Sequence, residues 1–134
     1  MIERLSHVTI IVRDIDEALD FYTEKLGFEK IMDAPMGPGM RWVTVAPKGQ
    51  KDVEIVLQKP SPQMQGEAVA KEMMKQIGKG TSWVFRVDSC RKTCDRLRAK
   101  GVTIVREPEK LPFGIEAIFA DLYGNQFILL ERAG

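Results

Sequence analysis

The chain is poor in the residues that commit a sequence to specialised chemistry. Histidine occurs once, at His7, and cysteine twice, at Cys90 and Cys94. Two thiols four residues apart in a helical pattern read as small buried hydrophobes on one face rather than as a disulfide framework. They also read poorly as a metal site, because no other ligand type lies near them in sequence. Neither charge sign dominates: 20 basic residues stand against 19 acidic ones. No basic stripe or like-charge block stands out, so neither nucleic acid nor an anionic membrane is an expected partner. Long apolar runs are missing too, since Val8 to Val12, interrupted by Thr9, is far too short to span a bilayer. The opening Met1-Ile2-Glu3-Arg4 lacks the charged-then-apolar layout of a signal peptide, and a cytoplasmic location is expected.

What is present is one supersecondary pattern written twice. A β-branched run, Leu5 to Arg13, leads into Asp14, a helix cap with Glu17 three residues on to complete a capping box. Ile15, Leu19, Tyr22 and Leu26 recur at helical spacing, and Gly27 suits a left-handed stop. Strands follow at 28–33, 40–46 and 53–58, parted by Pro35-Met36-Gly37-Pro38-Gly39 and by Lys48-Gly49-Gln50. The second half repeats the order. A strand at 83–87, a cap at Asp88 or Ser89, and a helical stripe of Cys90, Cys94 and Leu97 stopped by Gly101 precede strands at 102–106, 115–120 and 126–131. Val12 aligns with Val87 at an offset of 75, and Gly27 with Gly101, Met40 with Gly114 and Glu54 with Ile128 at 74.

The expected fold is therefore α+β: two tandem βαβββ modules, about 1–60 and 80–134, in one domain spanning 1–134. Their curved mixed sheets should surround a cup-shaped pocket. Residues 61–79 make a helical connector in which Ala70, Met73, Met74 and Ile77 fall on one face. Apolar residues at helical spacing indicate packing over an open edge; a Met-rich lid over a pocket is the alternative.

Strand alternation then sorts the side chains. Val8, Ile10, Val12, Val53, Ile55 and Leu57 face the helices in the first module, as Trp83, Phe85 and Val87 do in the second. The other face carries an apolar wall of Trp42, Ile11, Val56, Val84, Ile118, Ile128 and Leu130. Its polar points are His7, Thr44, Glu54, Gln58, Arg86 and Glu116. An apolar cleft with a few convergent polar groups is the usual form of a small-molecule site. The plainer alternative is a solvated rim in which Arg86 and Glu116 form a weak surface ion pair.

With His7 opening the first strand and Asp121-Leu122-Tyr123-Gly124-Asn125 before the last, the sequence resembles the vicinal-oxygen-chelate superfamily. That group includes glyoxalases, extradiol dioxygenases, methylmalonyl-CoA epimerases and the fosfomycin- and bleomycin-resistance proteins. The strings HVTIIVRDIDEALDFYTEKLGF, RWVTVAPKG and FGIEAIFADLYGNQFILLE carry the resemblance over nearly the whole chain. It implies metal ligands at the start of the first strand of each module and within the last. Here those positions hold His7 and Glu54, then Ser82 and Ile128. A serine hydroxyl is a poor donor and a hydrocarbon is none, so the set is incomplete. No tightly bound cofactor is expected, and at most a weakly held divalent ion.

The resemblance supports a binder of a small amphipathic or aromatic molecule, as the metal-free bleomycin-resistance relatives are. The alternative is a metal-dependent lyase, isomerase or transferase of the glyoxalase kind, or a dioxygenase relative, using His7 and Glu54 in an atypical site. A regulatory module with a vestigial pocket stays open as a third reading, and no catalytic residue is assigned. The superfamily's habit of pairing modules across chains, with sheet edges that need covering, makes a homodimer the expected state.

Overall fold

The computed structural model describes residues 1–133. The chain divides into two compact units, 1–77 and 78–134. The first contains β1 (His7–Ile11), α1 (Ile15–Asp20), β2 (Glu29–Gly37), β3 (Met40–Ala46), β4 (Glu54–Gln58), α2 (Pro62–Gln65) and α3 (Glu67–Lys75). The second contains β5 (Val84–Arg86), α4 (Cys90–Ala99), β6 (Thr103–Leu111), β7 (Gly114–Ala120) and β8 (Gln126–Arg132). Each unit holds a βαβββ module with a mixed four-stranded sheet, ordered β1-β4-β3-β2 and β5-β8-β7-β6. The fold is α+β, as the repeated pattern predicts. Among the described residues no helix is long and apolar enough to cross a membrane.

Local chemistry explains the boundaries. Asp14 caps α1 by accepting from the Glu17 amide at 3.0 Å, and Ser89, not Asp88, caps α4 by accepting from the Lys92 amide at 3.2 Å. Past Asp20 the first helix widens into a π-helical turn, Phe21–Lys25, which seats Phe21 and Tyr22 in the core. The connector holds two helices: Gly66, at φ 86° and ψ 158°, separates the short α2 from α3 in a conformation that only glycine adopts freely.

The outer hairpin strands run further than the sequence pattern indicates. β2 continues through Pro35 and β6 through Pro108, each with register shifts beside its proline. Both are edge strands, where a residue without an amide hydrogen costs no ladder bond.

The helix-side faces form the cores. Ile10, Val12, Val43, Val45, Ile55 and Leu57 are buried in the first unit. In the second, Phe85, Phe119 and Phe127 cluster with ring centroids 5.3 to 6.4 Å apart, and Trp83 adjoins Phe127 at 5.8 Å. Cys90 and Cys94 are buried beneath α4, and burial pushes both thiols above their ordinary pKa, so neither is an activated nucleophile. The turn before β8 is tied by Asp121, whose carboxylate accepts from the amides of Tyr123 and Asn125 and from the Asn125 side chain, each at 2.9 Å.

Candidate functional site

β1 and β4 run parallel in register, His7 level with Glu54, Thr9 with Val56 and Ile11 with Gln58. β3 lies antiparallel on the other side of β4, with Thr44 level with Val56. One sheet face therefore carries His7, Thr9, Glu54, Val56, Gln58, Thr44 and Trp42 together, as strand alternation predicts. A cavity of about 310 Å³ opens over part of it.

Trp42, Val56 and Gln58 line this cavity with Thr9, Ile15 and Met40. Thr44 does not. It is 0% exposed, and its hydroxyl donates to Glu54 Oε1 at 2.6 Å. Glu54 Oε2 lies 3.8 Å from His7 Nε2, His7 Nδ1 lies 2.8 Å from Ser6 Oγ, and the imidazole stands edge-on to Trp42 with centroids 5.7 Å apart. These groups border the Trp42 wall as a row in which Thr44 is hydrogen-bonded to Glu54 and the carboxylate faces the imidazole beyond hydrogen-bond distance.

The far side of the cavity was not legible from the sequence pattern. Lys59 to Met64 line it, and so does Met36. The signal was the turn chemistry: Pro60 and Pro62 bend the chain after β4, while the register shift between Pro35 and Gly37 breaks the ladder at Met36. Methionines do line the cavity, but they are Met36, Met40 and Met64, whereas Met73 and Met74 of α3 do not.

Arg41, at the cavity rim, donates to Asp33 at 2.8 and 3.2 Å and to Asp16 at 2.8 Å. The hydrogen bonds from Arg41 hold the Asp33 carboxyl below its usual pKa, and the two aspartates drive the guanidinium still further from deprotonation. Arg41 thus pins β3 to β2 and to the start of α1, and so fixes the strand that carries Trp42.

In the second unit Val84, Arg86, Glu116, Ile118 and Ile128 share one sheet face. Val84 is level with Ile128, which is level with Ile118, and Arg86 with Leu130, which is level with Glu116. The rim pair of Arg86 with Glu116 does not form: Glu116 accepts from Arg106 at 2.6 Å. Among the described residues the Arg86 side chain has no hydrogen-bond or ion-pair partner.

The matched registers also correct one internal equivalence. Glu29 is level with Ala46 and Thr103 with Ala120, so β3 and β7 align at the expected offset of 74. Thr44 then corresponds to Ile118, and because these face Val56 and Ile128, Ile128 is the counterpart of Val56. Glu54 corresponds instead to Gln126, which is level with Ala120. A sequence offset cannot see that the loop before β8 is two residues shorter than the loop before β4.

The model of the Glyoxalase/Bleomycin resistance protein/Dioxygenase superfamily matches residues 4–129. The chain belongs to that superfamily. Among solved structures it resembles UcmS2, at 48% identity over 98% of this chain and 99% of the other, with a TM-score of 0.87. It also resembles TnmS3, described as an antibiotic binding protein from Streptomyces sp. CB03234, at 32% identity over 98% of each chain and a TM-score of 0.78. The uncharacterized protein YurT of Bacillus subtilis (strain 168) is 40% identical over 127 residues, 92% of this chain and 95% of its own.

Metal-dependent members of this superfamily set a donor requirement that the residues here do not meet. His7 and Glu54 are competent ligands. Their counterparts, Ser82 and Gln126, are a hydroxyl that already donates to the Thr81 carbonyl at 2.7 Å and an uncharged amide. Among the described residues no three His, Cys, Asp or Glu side chains are gathered where they could hold an ion. Two strong donors fall short of the three that a catalytic ion usually takes from protein.

Proposed function

We propose that this protein binds a small amphipathic or aromatic molecule in the cavity beside Trp42, without a tightly held metal ion. The cavity itself carries the reading. About 310 Å³ suits a drug-sized group, and its wall combines Trp42, Val56, Ile15 and adaptable methionines with the amide of Gln58 and the hydroxyl of Thr9. Kinship with a protein described as antibiotic binding supports the same reading, with sequestration as the role we propose. A homodimer in the cytoplasm completes the proposal, since each sheet keeps two edge strands.

One observation favours a second reading. The row from Thr44 through Glu54 to His7 orients a carboxylate beside an imidazole, which suits proton transfer in a lyase or isomerase of the glyoxalase kind.

Tryptophan fluorescence separates the two tryptophans. Titration with bleomycin and with N-phenyl-1-naphthylamine should change Trp42 emission in a Trp83→Phe variant and leave the Trp83 signal unmoved in a Trp42→Phe variant. A response that persists in Trp42→Phe and vanishes in Trp83→Phe places binding elsewhere and defeats the proposal.

A further inference from the structure

The charged residues that line the cavity are all of one sign. None of its lining residues is acidic, while two, Arg41 and Lys59, are cationic. Arg41 is engaged: three of its five N–H donors are taken by Asp33 and Asp16, whose two charges offset its own. Lys59 is not, for among the described residues it has no hydrogen-bond, ion-pair or cation-π partner. Glu54, on the sheet face beneath the cavity, is held by Thr44 and faces His7. Beside Lys59 the Gln58 side chain also lacks a partner among the described residues, and it offers an amide donor to the same ligand group.

The backbone there is fixed. The Gln58 carbonyl accepts from the Val12 amide at 2.9 Å, and buried Pro60 follows Lys59 at once. The chain thus leaves β4 with an unpaired ammonium on a fixed stretch of backbone, in the lining that also holds Trp42.

We infer that the ligand is an amphipathic acid: an aromatic or aliphatic body bearing a carboxylate, sulfonate or phenolate that pairs with Lys59. The inference rests on the proposed binding role and narrows it. A cationic compound would meet Lys59 with no carboxylate in the lining to offset it, so the cavity discriminates by charge as well as by shape. The contact is near the surface, so its contribution falls with added salt.

The test compares two dyes that share a ring system and differ by one sulfonate: 8-anilinonaphthalene-1-sulfonate and uncharged N-phenyl-1-naphthylamine. In low salt the intact chain should bind the sulfonate about tenfold more tightly. Lys59→Ala should abolish that ratio, Lys59→Glu should invert it and Lys59→Arg should keep it. Lys59 is exposed, so none of these changes threatens the fold. If the sulfonate gains nothing in the wild type, or if its advantage survives Lys59→Ala, the inference falls while cavity binding of the uncharged dye stands. If the uncharged dye does not bind, or binds Trp42→Ala as it binds the wild type, the binding role falls and the inference with it.

Discussion

The bond between Thr44 and Glu54 can be weighed by a double-mutant cycle. Thr44 is fully buried and its hydroxyl reaches Glu54 Oε1 at 2.6 Å, whereas the Glu54 side chain keeps 30% of its surface exposed. That asymmetry sets the expected costs. Glu54→Ala removes a charge-assisted bond and strands a buried hydroxyl that water cannot reach, costing about 2 to 3 kcal/mol. Thr44→Val keeps the side-chain shape and leaves a carboxylate that can rehydrate, costing about 1 kcal/mol. With both changes no buried group is orphaned, so the double variant should resemble Thr44→Val alone. The coupling energy then equals the Glu54→Ala cost, about 2 to 3 kcal/mol. Urea denaturation with unchanged slopes reads each value, and the largest loss should lower the midpoint by about 1 to 2 M. Additive costs would refute the reasoning, because they would mean that Glu54 is not held by Thr44 and stands free beside His7.

Three other outcomes are expected. Elemental analysis after supplementation with zinc, nickel or manganese should find well below one ion per chain, and near-stoichiometric metal lost in His7→Ala would defeat the proposed metal-free role. The variant Ser82→His with Gln126→Glu should bind zinc better than Ser82→His with Ile128→Glu, since only the first sets the two ligands level across the ladder as His7 and Glu54 are. Light scattering at micromolar concentration should give twice the monomer mass, and a monomer over a wide concentration range would contradict the dimer.

Sequence reading recovered the elements and faces because those depend on local pattern. The caps at Asp14 and Ser89 sit where side-chain chemistry demands, and β3 spans 40–46 as alternation indicates. It failed where tertiary context overrode local signals. Pro35 and Pro108 looked like strand ends, yet edge position lets both strands run on. The stripe of Ala70, Met73, Met74 and Ile77 announced the helix that forms α3, yet nothing announced the short helix α2 before Gly66, and it is Met64 of α2 rather than Met73 or Met74 that lines the cavity. Lys59 carried no sequence signal at all, because a lysine after a strand is ordinarily a solvated side chain. Its meaning lies in the carboxylates that are missing around it.

The two modules differ most where packing asks least. On the helix-side faces Val8, Ile10 and Val12 answer Trp83, Phe85 and Val87, since any apolar set of suitable volume fills a core. On the opposite faces His7, Thr9 and Ile11 answer Ser82, Val84 and Arg86, which share no chemistry. Val84 is 54% exposed and Arg86 is unpaired among the described residues, so neither residue is fixed by a core. A face freed from packing can change its polar residues at little cost to folding, whereas Glu54 is tied to the core, because the buried Thr44 hydroxyl must stay bonded to its carboxylate. The fold is therefore written twice along the chain, and each copy checks the other. The side chains that line the cavity are not repeated: by the same registers Trp42 corresponds to Glu116 and Gln58 to Leu130, so the second module carries neither the indole nor the amide.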